Sequence, residues 1–381
     1  MLVTVILGSL TGLSLALTLW QWWEGRCFPL HQRASKGGTA PALTILKPLK
    51  GCDVETAECL RGWLAQEYGG PVQVLFGVAT ADDPVCGLVR ELLARFPRVD
   101  AQLLVCPRSF GPNAKVSTLA QLEPHTKYDL LVVSDADVRT PPGFLGELTR
   151  YFTDPGVGLA NPLYRLANPS TPAMQWEALA VNADFWTGVL QSRRLEPLAF
   201  ALGAVMAVRR GHVREMGGFE ALVDYLADDY ELGRRVVGQG GRIALCPVVA
   251  ECWEAPHGWT AAWRHQLRWG RTIRVCRPGS YALSVLSNAT LWPVLWLAAC
   301  PSRLSAAALG LCLLARVWTA VANQHRLTCS WSHLPWFWLA PVKDLLQVLV
   351  WAASFAGNSV EWRGELLRVR PGGRLEPRGA A

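Results

Sequence analysis

The sequence predicts an α/β domain built on a mostly parallel sheet and joined to transmembrane helices. Three observations carry this. Strand-like and helix-like runs alternate between residues 40 and 250. A charge-free run opens the chain. Long apolar runs, rich in Trp, follow residue 280.

Each element can be justified in order. Residues 2–23 (LVTVILGSLTGLSLALTLWQWW) carry no charge and are long enough to cross a bilayer core of about 30 Å. No basic segment precedes them, and Trp20, Trp22 and Trp23 stand where a cleaved leader would have small residues. The run is therefore an uncleaved anchor, residues 1–24. Arg26, Arg33 and Lys36 follow it, so the positive-inside rule puts the next domain in the cytoplasm. ALTILKPLK is a short apolar strand running into a basic loop, and VQVLFGVA (72–79) is a second strand. CGLVRELLARF (86–96) has helical periodicity; AQLLVC (101–106) and DLLVVSDAD (129–137) are further β-rich runs. Such alternation implies parallel strands, whose ligands bind outside their carboxyl ends. This domain is assigned to residues 38–252.

The segment 253–280 mixes Trp and Arg at helical spacing, as suits helices on a membrane surface. Residues 281–358 hold three apolar runs. Those at 281–300 and 304–322 are long enough to span, although Arg316 inside the second needs a partner. The third, 334–357, is broken by Pro335, Pro341, Lys343 and Asp344, and fits either a span or a re-entrant helix. Residues 359–381 are a basic tail with Arg363, Arg368, Arg370 and Arg374.

Composition excludes several classes. Hydrophobic residues make up 51% and charged residues 18%, too apolar for an ordinary soluble enzyme and too charged for a pure transporter. The 18 Trp suit a membrane–water border. The net charge of +7 comes without a Lys/Arg block interleaved with aromatics, so anionic lipid or a diphosphate substrate fits better than nucleic acid. The 11 cysteines include no CxxC pair, which argues for reduced thiols and against a zinc site.

Four motifs carry chemistry. In Ser134-Asp135-Ala136-Asp137, two carboxylates end an apolar strand and suit a hard cation, Mg²⁺ or Mn²⁺, which takes oxygen ligands including phosphate. Asp228-Asp229-Tyr230-Glu231 starts a helix, where carboxylates are favoured electrostatically; one of the two aspartates can serve as a general base. Arg268-Trp269 offers a guanidinium for a diphosphate and a ring for a sugar or acceptor; taken alone, an interfacial helix with a snorkelling Arg explains the pair better. Lys47, Lys50, Asp82, Asp83, Asn113 and Lys115 can contact base, ribose and phosphate.

In this order KPLKG (47–51), ADDP (81–84), GPNAK (111–115), SDAD (134–137), ADDYELG (227–233) and LRW (267–269) resemble the ceramide glucosyltransferase family, including its bacterial and hopanoid-type relatives. The resemblance covers nearly the whole chain. It implies a GT-A fold, with helices on both faces of a mostly parallel sheet. It also implies a UDP-sugar donor, a divalent metal, a membrane lipid acceptor and inversion at the anomeric carbon. Position by position, Asp82 or Asp83 falls in the nucleotide motif, and Asp135 and Asp137 in the metal and diphosphate motif. Asp229 matches the base, and Arg268 and Trp269 close the Q/R-x-x-R-W signature. Two positions depart from the pattern: the signature begins with His265, and Thr80 stands where relatives can carry another Asp. A processive polysaccharide synthase shares the motifs but needs a polymer channel, for which two or three imperfect segments are few. A non-catalytic lipid-binding or transport protein would leave the acidic motifs without a role.

Overall fold

The computed structural model describes residues 1–32, 40–362 and 365–377. Arg33, Lys36 and Arg363 lie outside them. The chain begins with α1 (Leu2–Cys27), followed by β1 (Leu43–Leu49), α2 (Thr56–Leu64), β2 (Val72–Val78), α3 (Val85–Arg95) and β3 (Asp100–Val105). Then come α4 (Ala114–Leu122), β4 (Leu130–Ser134), β5 (Val138–Arg139), α5 (Phe144–Thr149) and β6 (Val157–Leu166). Next are α6 (Pro172–Leu179), α7 (Trp186–Leu195), β7 (Val205–Arg209), α8 (Arg210–Glu215), α9 (Asp228–Gly238) and β8 (Arg242–Cys252). The remainder is α10 (Trp259–Cys276), α11 (Pro278–Leu283), α12 (Leu291–Ala299), α13 (Arg303–Thr328), α14 (Leu339–Phe355), β9 (Ser359–Trp362), β10 (Glu365–Val369) and β11 (Leu375–Pro377).

These elements form two compact units. The first comprises Leu30–Tyr164, Leu198–Ala255 and Gly373–Ala381; the second comprises Met1–Pro29, Arg165–Pro197 and Pro256–Gly372. Residues 165–197 lie inside the stretch expected to be catalytic, yet they group with α1 and the C-terminal helices.

The first unit is built on an eight-stranded sheet of order β3-β2-β1-β4-β7-β6-β8-β5. β1 pairs in parallel with β2 and β4, and β2 with β3. β7 then runs antiparallel to β4 and β6, and β5 antiparallel to β8. The sheet is thus mixed, with the expected parallel strands forming its N-terminal half. β1 and β4 are buried along their whole length, as the near-continuous apolar runs LTILKPL and LLVVS require. Leu46, Leu75, Val116, Leu119, Leu131, Met206 and Leu232 share one core. β1 and β4 run in register from Leu43↔Leu130 to Leu46↔Val133, so Lys47 arrives beside Ser134 at the strand ends.

The second unit is helical. Among the described residues two of its helices, α1 and α13, are long and apolar enough to cross a membrane; a third span results if the bent pair Pro278–Ser287 and Leu291–Ala299 counts as one. The expected span 281–300 is therefore not one straight helix: its two parts meet at 59°. The break has a local cause. Asn288 is extended, and its Oδ1 accepts from the backbone N–H groups of Thr290 and Leu291 at 3.2 and 2.9 Å, starting a new helix. The third apolar run becomes a 3₁₀ turn (Leu334–Trp336) and the 17-residue α14. The tail expected to be merely basic contains the antiparallel pair β9–β10.

Candidate active site

The acidic motifs converge in the first unit. β4 ends at Ser134, and the chain turns through Asp135 and Asp137 into β5. Asp135 N–H donates to Ala204 O at 3.1 Å, and Asp137 O accepts from Trp253 N–H at 2.9 Å. Both aspartates are thus fixed through their backbones. On the other side, α9 begins at Asp228 with Asp228, Asp229 and Glu231 in its first turn, where the helix N-terminus favours negative charge. Asp229 Oδ1 accepts from Tyr230 N–H at 2.8 Å. Its Oδ2 lies against Gly203, where a Cβ would come within 2.9 Å.

Lys115 ties the two motifs together. Its Nζ lies 2.8 Å from Asp135 Oδ1 and 3.1 Å from Asp228 Oδ2, with the residue only 7% exposed. Burial opposes its charge, but the carboxylates of Asp135 and Asp228 outweigh burial and keep it protonated. Lys47 is not in a loop: it is wholly buried in β1 and donates to Ser134 Oγ at 3.2 Å and Asp135 O at 2.5 Å. Burial lowers its pKa to about 8. It supports the turn that carries Asp135.

Burial, and then the nearby Asp135 and Glu254 carboxylates, push Asp137 up to about 6. Burial, and then Asp228, push Asp229 to about the same value. Among the described residues no lysine or arginine forms an ion pair with Asp137. Carboxylates crowded in this way, with too few cations, match the oxygen donor set of a hard divalent ion. Asp135 and Asp137 are the residues that fit it.

The remaining predicted contacts divide. Asp83 receives Gly51 N–H on both oxygens at 3.0 Å and Val85 N–H at 3.0 Å, closing the KPLKG loop where Gly51 has φ +68°. Lys50 and Asp82 are exposed beside it. Asn113 is fully buried as the N-cap of α4, accepting from Val116 N–H and donating to Tyr225 O at 2.8 Å. It braces the loop before α9 and has no surface for a ligand. Arg268 and Trp269 lie on α10 in the second unit, where Trp269 packs against His265 with ring centroids 4.8 Å apart. His265 Nδ1 and Gln266 Nε2 meet Glu177 Oε1 at 3.0 and 3.1 Å, and His257 Nε2 meets Glu177 Oε2 at 3.1 Å.

Three residues were not singled out in the sequence. Asp228 was read only as one half of a pair. Asn161 is buried and locks the 202–205 turn, donating to Leu202 O and Val205 O and accepting from Leu202 N–H. Glu177 anchors His265. A lone acid inside the apolar stretch PAMQWEAL was the available signal for Glu177; Asn161 had none beyond its polarity in a strand.

A mixed sheet with paired carboxylates at the end of a central strand defines a GT-A glycosyltransferase. A mannosyltransferase from Pyrobaculum calidifontis, solved with GDP-mannose and Mn²⁺, shares the fold at TM-score 0.50 and 18% identity, over 91% of this chain and 98% of that one. The model for glycosyl transferase family 21 matches residues 4–375, and the chain belongs to that family. The ceramide glucosyltransferase of Candida albicans is 37% identical over 107 residues, 25% of this chain and 20% of that enzyme. Ceramide glucosyltransferase 1 of Caenorhabditis elegans is 23% identical over 225 residues, 57% of this chain and 47% of that enzyme. The chain thus matches less than half the length of these relatives.

Proposed function

We propose that the protein transfers a hexosyl group, glucose first among candidates, from a UDP-sugar to the hydroxyl of a membrane lipid such as ceramide or a hopanoid polyol, with inversion. The observation that carries this reading is the Lys115 bridge, which joins the end of β4 to the start of α9. In the proposed reaction Asp135 and Asp137 hold Mg²⁺ or Mn²⁺. A divalent ion there supplies charge neutralisation for the leaving diphosphate. Asp229 takes the proton of the acceptor hydroxyl as its oxygen attacks the anomeric carbon opposite the leaving group. Lys115 holds Asp228 and Asp135 together through its two ion pairs. Asp83 and Gly51 shape the loop assigned to the nucleotide, with Lys50 and Asp82 exposed at its edge. Arg268 is assigned to the departing diphosphate and Trp269 to the acceptor, on the strength of the family signature. The lipid acceptor fits a chain with two helices capable of crossing a membrane, and the catalytic unit is assigned to the cytoplasmic face.

The test is incubation of membranes with a panel of UDP-sugars and with ceramide, a hopanoid polyol and diacylglycerol, followed by mass spectrometry. One lipid-linked monosaccharide is expected. A product ladder would indicate a polysaccharide synthase instead, and no transfer from any donor would overturn the reading. Asp229→Asn is expected to retain donor binding and to lose transfer by at least about a hundredfold; substantial residual turnover would remove Asp229 from the role of base.

A further inference from the structure

The second unit contains a cavity of about 190 Å³, lined by polar and apolar side chains together, among largely apolar helices. Its walls come from α1 (Thr18, Gln21), the bend between α11 and α12 (Ser284, Asn288), α13 (Arg316) and α14 (Gln347). None of these residues belongs to the proposed reaction.

The charge arrangement is specific. Arg316 is 4% exposed and sits within a helix fit to cross a membrane. Its Nε and Nη2 donate to Asp344 at 2.8 and 2.9 Å, and Nη2 also donates to Asp184 at 2.8 Å. Lys343 pairs with Asp184, and with Asp344 Oδ1 at 3.2 Å. Thr290 Oγ1 donates to Asp344 Oδ2 at 2.7 Å. Two cations thus balance two carboxylates, and the cluster is neutral as it stands. An ionic ligand would have to pull a partner out of this network and leave a buried charge uncompensated, at a cost of several kcal/mol. An uncharged ligand that both donates and accepts hydrogen bonds avoids that cost. Gln347 Oε1 is buried, with no hydrogen-bond partner among the described residues. Ser284 Oγ spends its proton on Tyr281 O, which leaves its lone pairs as acceptors. The cavity therefore offers acceptors to a donor-bearing ligand.

We propose that this cavity binds the uncharged headgroup of a membrane lipid that carries hydroxyl and amide groups. The apolar helices around it suit the lipid's tails, and the neutral cluster excludes phosphate headgroups. The inference rests on the lipid-acceptor reading for its biological setting, but binding can be read without turnover.

The experiment uses the full chain in nanodiscs with a ceramide bearing a photoreactive group close to its headgroup. Labelled peptides are mapped by mass spectrometry, with excess ceramide, diacylglycerol or phosphatidylglycerol as competitor. Labelling within residues 284–292 or 339–351 is expected. It should fall about tenfold in Gln347→Leu and about threefold in Ser284→Ala, the sizes expected for one lost hydrogen bond at a buried oxygen and at an exposed hydroxyl. The serine variant removes a single oxygen and guards against a folding defect in the other. Labelling elsewhere, or unchanged in both variants, would mean a structural ion-pair network only and overturn the proposal. So would displacement by phosphatidylglycerol as strong as by ceramide. Displacement by ceramide but not by diacylglycerol, which has no amide, assigns the site to the acceptor; equal displacement by both would overturn the proposal. Intact labelling without transfer from any UDP-sugar would sink the transferase reading and leave the site standing.

Discussion

At the scale of single residues, the site depends on Lys115 more than on any one aspartate. Its ammonium is the shared partner of Asp135 and Asp228, and both it and Asp228 are buried. Removing one partner of a buried pair leaves the other charge uncompensated. Lys115→Met is therefore expected to destabilise the fold by roughly 2–4 kcal/mol, the lower figure reflecting the partial exposure of Asp135. It should also abolish donor binding; a thermal shift assay and nucleotide titration read the two effects. A variant of unchanged stability would show that the bridge is incidental. Asp229 supplies a pH prediction. Burial, and then Asp228, hold its carboxyl at about 6, above the ordinary 3.8. A base must be ionised, so kcat should fall about tenfold per unit below pH 6 and level off above it. The limb should stay in place as Mg²⁺ or Mn²⁺ is raised, because Asp229 is assigned to the acceptor and not to the ion. A limb that moves with metal concentration would assign the titration to Asp137 instead. Only part of this was legible in the sequence. The aspartates were, because each motif is a local string at a strand or helix end. The bonds that Lys47 and Lys115 make within the protein were not, because those partners lie 20 to 113 residues away and spacing carries no sign of them.

At the scale of elements, α9 must approach the segment before β7 closely enough to bring Asp229 beside Gly203. Gly233 makes that approach possible: a Cβ there would fall 2.5 Å from Ala201 N and 2.6 Å from Phe200 C, both backbone atoms that cannot swing aside. Gly233→Ala should push α9 outward, costing roughly 1–3 kcal/mol as overpacking does. Transfer should fall more than donor binding, since Asp229 rides on the helix and Asp137 does not. Equal losses of both would indicate general unfolding. The parallel half of the sheet was legible: β1, β2, α3 and β3 fall within a residue of the runs that predicted them, and β4 starts one residue into its run and ends three before the run does. Their patterns are set by burial on both sides of a sheet or on one helical face, which sequence records directly. The antiparallel half of the sheet was not legible, because pairing direction is fixed by long connections. The break at Asn288 was hidden for another reason: a side-chain cap inside an apolar run changes the path without changing the hydropathy.

At the scale of the whole molecule, the N-terminal run was expected to be a membrane anchor of residues 1–24, and the helix Leu2–Cys27 also packs within the second unit. Gly25 lies so close to α7 that a Cβ would sit 2.9 Å from Trp186 Cη2 and Thr187 Cγ2. Arg326 on α13 donates to Gly25 O and Phe28 O, each at 2.6 Å. Gly8 faces the ring of Trp296 on α12, and Thr18 Oγ1 donates to Ser287 O at 3.3 Å. These contacts join the first helix to segments 160 to 300 residues later, so α1 acts as a wall of the helical unit as well as an apolar span. Deleting residues 2–27 would uncover the fully buried Trp186 and strip Arg326 of an acceptor. Loss of a large aromatic contact surface costs a few kcal/mol and loss of a half-buried charge-assisted hydrogen bond about 1–2 kcal/mol more, together a large share of the stability of a domain. The truncated chain is therefore expected to aggregate in mild detergent, with rapid tryptic cleavage in residues 259–328, and not to yield a trimmed soluble enzyme. Size-exclusion chromatography and limited proteolysis read this directly. A discrete particle, protected as the full chain is, would show that the helix is a detachable anchor after all.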